Sequence, residues 1–197
     1  MHGPTLMLRL PRAADAAALL ELGGDPEVTR WFSWGPYRTI EEPLAYLGTL
    51  EGRRARGDQL DLLIVHREHG PAGITGLGEL SVRDRRCMVG TWLGRRFWCT
   101  GANHEAKALV AHLAFAVLGM HRLGCYANPD NARSTRAVLG VGFRPEGRLR
   151  HYHRHGDAHL DVEVFGMLRG DWEDGPLASV PVRVEGDPPA AFVVAAA

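Results

Sequence analysis

The sequence predicts a mixed α/β (α+β) domain in which a mostly antiparallel central sheet is flanked by helices. Three observations predict it. An apolar run, Met88-Val89-Gly90-Thr91-Trp92-Leu93, crosses a short loop into a long amphipathic helix whose Leu109, Val110, Leu113, Val117 and Leu118 keep helical spacing. Two strand-like runs before it, Leu60–Arg67 and Gly73–Val82, are joined through Glu68-His69-Gly70-Pro71. A terminal pair, Arg148–Arg154 and Ala158–Leu168, surrounds the turn His155-Gly156-Asp157.

Composition bounds the function. A chain of 197 residues, 45% hydrophobic, suffices for one core of ordinary size. Lys+Arg and Asp+Glu are 23 each, which argues against direct nucleic-acid binding through bulk charge. Among the basic residues Lys107 is the one lysine. No apolar run approaches the roughly 18 residues of a membrane span, and no secretory pattern opens the chain. The dispersed, odd-numbered Cys87, Cys99 and Cys125 fit a reducing, cytoplasmic setting.

In chain order, Thr5–Leu10 reads as a strand, and Arg12–Leu22 as a helix with Ala16, Leu19, Leu20 and Leu22 apolar and Gly23-Gly24 at its end. The connector Trp31-Phe32-Ser33-Trp34-Gly35-Pro36-Tyr37 has neither helical nor alternating spacing, so its rings either line a groove or pack as core. Thr39–Arg56 reads as a helix interrupted near Pro43, with Thr39 and Glu42 as a capping box that would put Pro43 in its first turns. A turn at Arg83–Arg86 leads into strand 87–93.

The segment Phe97-Trp98-Cys99-Thr100-Gly101-Ala102-Asn103-His104-Glu105-Ala106 follows, with Arg95 and Arg96 at the strand exit. It aims free backbone N–H groups and a helix N-terminus at one point, a geometry suited to a pyrophosphate. Asn103 can accept from N–H groups there, and Glu105 favours the first turn. Cys99 is either a small residue at a tight turn or a reactive thiol. Gly119 ends the helix, a strand reaches Ala127, and a second helix runs from about Ala132 to Leu139. His151, His153 and His155 would share one strand face, but no second Cys/His pair completes a zinc site, and no metal is expected.

This order of motifs resembles the GNAT superfamily of acyl-CoA-dependent N-acetyltransferases, and within it the RimJ/RimL-like branch of ribosomal-protein N-terminal acetyltransferases. The residues carrying the resemblance are Gly90-Thr91-Trp92-Leu93, the loop, Leu118-Gly119-Met120-His121-Arg122, the spaced Asn128, Asn131 and Ser134, and Gly142-Phe143-Arg144-Pro145-Glu146-Gly147. Leu168-Arg169-Gly170-Asp171-Trp172 is similar to the family's ending. The family loop commonly begins with Gln or Arg where Trp98 stands, and has a small residue where Asn103 stands. A related set carries Gly-x-Asn-Thr-Glu-Ala-Lys, which Gly101–Lys107 matches except at His104. The resemblance covers residues 5–172, leaving the Pro-, Ala- and Val-rich 173–197 as a flexible tail or an added edge strand.

The resemblance implies a sheet with one splayed strand pair that binds acetyl-CoA as co-substrate. Pantetheine would pair with backbone near Thr91, Trp92 and Leu93, an N–H near Leu93 polarising the thioester carbonyl. Backbone N–H groups of Cys99, Thr100, Gly101, Ala102, Asn103 and His104, with Arg95 or Arg96, would hold the pyrophosphate. Asn128 and Asn131 would lie near the cofactor arm. Ser134 would protonate the leaving thiolate, or serve only in the first helical turn. Glu79 or His153 would accept the amine's proton, the alternatives being a solvated strand residue and a groove wall. Trp31, Phe32 and Trp34 would line the acceptor groove. The implied acceptor is a protein N-terminal amine; a small amine (antibiotic, polyamine or amino acid) and a non-catalytic acyl-CoA-binding module are the alternatives. The assembly would be a monomer or homodimer.

Overall fold

The computed structural model describes residues 1–194. Seven strands form one sheet: β1 (Leu6–Arg9), β2 (Gln59–His66), β3 (Gly70–Ser81), β4 (Arg86–Leu93), β5 (Arg122–Ala127), β6 (Arg144–His155) and β7 (Ala158–Leu168), in the order β1-β2-β3-β4-β5-β7-β6. Every neighbouring pair is antiparallel except β4 and β5. Those two pair at Arg86–Arg122, Cys87–Leu123 and Met88–Gly124 and nowhere beyond. Past Met88 and Gly124 the strands diverge, and this splay positions the site.

One face of the sheet carries helix α4 (Ala102–His112), which packs Ala106, Leu109 and Val110 on Ile64, Leu77 and Val89. On the other face α1 (Ala16–Gly23) and α3 (Glu41–Arg56) cover Leu63 and Ile74 with Leu19, Tyr46 and Leu47. Because β2 is buried on both faces, its Leu60–Ile64 run is almost unbroken in hydrophobicity. A short helix, α2 (Pro26–Thr29), is one the pattern gave no periodicity to find; Asp25 caps it by accepting from Glu27 N–H at 2.9 Å.

Several local expectations are corrected. The long helix starts at Ala102 rather than Ala106, and Leu113–Val117 closes it as a π turn. Gly101, at φ +90°, takes the N-cap position, so Asn103 lies inside the first turn and caps nothing. Glu105 does stand in the first turn of this helix, and its carboxylate has further partners. It accepts from Thr5 N–H at 2.8 Å, Leu6 N–H at 2.7 Å and Thr5 Oγ1 at 2.5 Å, tying β1 to α4. Only half of the expected capping box forms on α3: Glu42 accepts from the N–H groups of Arg38 and Thr39, while no side chain caps the helix. The three strand histidines do not share one regular face, because β6 shifts register between Leu149 and His153 and His151 sits at φ +51°.

Helix α5 (Ala132–Leu139) opens as the sequence indicates, with Asn131 Oδ1 accepting from Ser134 N–H at 3.1 Å. A final short helix, α6 (Arg169–Glu173), follows β7. Beyond it the chain returns across the domain. His2 and Arg183 exchange backbone hydrogen bonds of 2.8 and 2.9 Å, Phe192 is fully buried, and Val194 N–H donates to Leu118 C=O at 3.0 Å.

Candidate active site

The splay between β4 and β5 opens into a groove of 450 Å³. Its β4 wall presents backbone. Gly94 N–H donates to Ala72 C=O at 2.8 Å, so alternation along an antiparallel pair turns the N–H groups of Leu93 and Thr91 away from β3, toward the gap. Among the described residues no strand pairs with β4 on that side beyond Met88. The Leu93 carbonyl is already taken by Trp98 Nε1 at 2.8 Å. Trp98 thus closes the loop onto the strand end and leaves the Leu93 N–H as the free donor.

At the far end of the loop the first turn of α4 has no side-chain cap. Ala102 N–H has only a long contact to Thr100 Oγ1 at 3.4 Å. The unsatisfied first-turn N–H groups and the positive helix end therefore face the groove mouth. Cys99 (φ +60°) and Gly101 both adopt left-handed backbone, which curls the loop around that mouth.

Charge completes the picture. Lys107, Arg133 and Arg136 line the groove, and no carboxylate does. The Arg133 guanidinium stacks 3.3 Å from the Trp98 ring centroid, and burial pushes its pKa down. Trp31 and Phe32 line the groove beside Val28. Trp34 instead packs among Phe32, Tyr37 and Trp92 at 5.4, 5.1 and 5.4 Å. A groove that combines apolar rings, free backbone N–H groups and cations suits an elongated ligand that is part apolar and part anionic.

Ten of the residues expected at the site line this one groove: Thr91, Trp92, Leu93, Cys99, Gly101, Asn103, Asn131, Ser134, Trp31 and Phe32. The others do not. Arg95 is exposed on the turn after β4, and Arg96 turns to His69 C=O at 3.4 Å and to Glu21 at 3.7 Å. Arg96 and Thr100 line a separate hollow with His66 and His69. Ala102 is buried in the core, His104 lies on the first turn of α4 outside the lining, and Asn128 accepts from Asp130 N–H at 2.9 Å within its own turn. Lys107, Arg133 and Arg136 were missed as groove residues; for Lys107 the available signals were its place at the end of the Gly101–Lys107 motif and its being the one lysine among arginines.

A family model, the acetyltransferase (GNAT) domain, matches residues 5–144. The chain belongs to the GNAT acetyltransferase family. Among its relatives is the uncharacterized N-acetyltransferase p20 of Bacillus licheniformis, 25% identical over 173 residues, covering 87% of this chain and 97% of p20. YdaF of Bacillus subtilis (strain 168), whose name only proposes a ribosomal N-acetyltransferase, is 26% identical over 101 residues, 51% of this chain and 55% of that one. A solved structure from T. thermophilus, described provisionally as an acetyltransferase, superposes with TM-score 0.78 at 30% identity, covering 88% of this chain and 91% of that one.

In the acetyltransferase, Glu79 and His153 lie outside the groove and converge on Tyr126. Glu79 sits at a bulge in β3 with φ +49° and is exposed. Its carboxylate accepts from Tyr126 OH at 3.1 Å, and the Tyr126 and Tyr152 hydroxyls are 3.2 Å apart. The His153 ring meets Tyr126 edge-on at 5.3 Å. Burial, and then His155, hold His153 below the usual histidine pKa. Tyr126 stands on β5 two residues past Gly124, its last pairing with β4, so this cluster flanks the same gap.

Proposed function

We propose that this enzyme is a cytoplasmic, RimJ/RimL-like acetyltransferase that moves an acetyl group directly from acetyl-CoA to a protein N-terminal α-amine. The observation that carries the reading is the splay: β4 offers unpaired N–H groups beside a cationic groove, and the Glu79–Tyr126 cluster flanks the same gap on β5. The likeness to YdaF supports the branch.

Each residue has a role in this reading. Loop and first-turn N–H groups, with Arg133 and Arg136, take the pyrophosphate. Thr91 and Leu93 N–H groups take pantetheine and polarise the thioester carbonyl, as an oxyanion donor does. The acceptor nitrogen attacks that carbonyl, the C–S bond breaks, and its electron pair leaves on sulfur. Ser134, whose hydroxyl is free of partners among the described residues, donates to that sulfur. Glu79, directly or through Tyr126, accepts the proton lost by the amine. His153 with Tyr152 forms the acceptor wall.

A weakly basic site favours an α-amine. With pKa near 7.8, about one α-amine in seven is neutral at pH 7, against roughly one lysine in 2,500. A thiol-release assay with acetyl-CoA against peptides of varied N-termini and a panel of small amines tests the reading. Turnover of free peptide N-termini, lost on blocking the α-amine, is expected. Turnover of small amines alone would reassign the acceptor.

A further inference from the structure

All but one of the 23 basic residues of this chain are arginine, and the exception, Lys107, is buried in the cofactor groove. It is 6% exposed, and its ammonium has no hydrogen bond or ion pair to any described residue. The nearest acidic residue in sequence, Glu105, is committed to Thr5 and Leu6. An unpaired ammonium largely, though not wholly, withdrawn from water is costly. Burial pushes the Lys107 pKa down, so a negative or strongly accepting group on a ligand in the groove is what would hold it in its charged form.

Position selects which group of an acyl-CoA that is. The phosphate-binding end lies at Gly101 and the uncapped first turn of α4. Lys107 is six residues further along, about 9 Å at helical rise. That displacement leads toward the closed end of the splay: Lys107 lies near Cys125, which directly follows Gly124, the last β5 residue paired with β4. An acyl-CoA with its phosphates at the loop extends its sulfur to this end. Ser134 lines the same groove, but a serine hydroxyl is a far weaker acid than a thiol, so it can hydrogen-bond a thiolate without neutralising it. A cation is the missing complement.

We infer that Lys107 is a catalytic residue whose ammonium pairs with the sulfur of coenzyme A as the C–S bond breaks. The inference rests on the acyl-CoA reading above. The electron pair of the breaking bond stays on sulfur, to which the ammonium and the Ser134 hydroxyl donate hydrogen bonds. The proton lost by the amine later converts the thiolate to thiol. Lysine suits the position better than arginine because its charge is a compact point on a flexible stem.

The test compares CoA with desulfo-CoA, which lacks only the sulfur, by titration calorimetry on wild type and Lys107→Met. The variant keeps side-chain volume and removes the charge. It should bind CoA roughly ten- to a hundred-fold more weakly, the loss expected for a charged hydrogen bond, with desulfo-CoA unchanged. kcat should fall while KM for acetyl-CoA moves much less. Retained desulfo-CoA binding shows that the variant is folded. Equal loss for both ligands would assign Lys107 to a carbonyl or phosphate and overturn the proposal, as would no loss for either. Acetylation of Lys107 by acetyl-CoA alone, read by intact mass, would also overturn it, since an amide carries no charge. Wild type that binds neither ligand would refute the acyl-CoA reading itself, a result distinguishable from all of these.

Discussion

Ser134 illustrates how one residue serves two scales. Its N–H closes the N-cap of α5 at 3.1 Å from Asn131 Oδ1, and its hydroxyl is left for the groove. Ser134→Ala keeps the first and deletes the second. kcat should drop roughly ten- to a hundred-fold, the loss expected for a hydrogen bond to the charged thiolate, with an unchanged melting temperature. Unchanged turnover would confine Ser134 to the helix cap. The two candidate bases separate by substitution. A base must be unprotonated, so kcat/KM should fall as pH drops through its pKa. Because His153 is held below the ordinary histidine value, a limb belonging to it would lie below about pH 6.5. The expected result is that Glu79→Gln removes the acidic limb and His153→Ala keeps it while raising acceptor KM. An identical limb in both variants would assign the titration to the substrate amine.

At the scale of the element, α4 does more than carry the phosphate end of the groove. Glu105 reaches back from its first turn and gathers three donors from Thr5 and Leu6, the start of β1. Glu105→Ala would strand the buried Leu6 N–H and the adjoining Thr5 donors. A loss of at least about 2 kcal/mol is expected, read as a lower denaturation midpoint at unchanged m-value. What was legible from sequence follows a simple physical division. Strands β2 to β5 and helix α5 announce themselves through periodicity and an N-cap, which are local properties. Glu105's actual partners lie about a hundred residues away, and no local rule points to them. The Glu79 and His151 bulges are likewise set by what each strand must align with, so alternation reads straight through them.

Across the whole molecule, the groove residues of the loop and β4 were readable because their motif order is distinctive. Lys107 and Arg133 were not, because only the packing of α4 and α5 brings their side chains to the same space. The segment after residue 172 was equally opaque, having no helical or strand period. Its Phe192 is fully buried in the main core, with Ala191 beside Gly57 at the end of α3. Phe192→Ala should cost about 3–5 kcal/mol, the range for truncating a buried aromatic ring. A much smaller loss in thermal or chemical unfolding would mean that this segment is not part of the cooperative unit.

Three residue pairs are all that join β4 to β5, so the sheet is two half-sheets sharing a short seam, β1 to β4 on one side and β5 to β7 on the other. A cofactor threaded along β4 then acts as the strand that the chain itself does not supply. In the free protein the amides of Thr91 and Leu93 should exchange with deuterated solvent faster than those of Trp92 and Gly90, which face β3. Binding of CoA should slow the first pair selectively and tighten the breathing of one half-sheet against the other. The ligand would thus be, for as long as it stays, a piece of secondary structure.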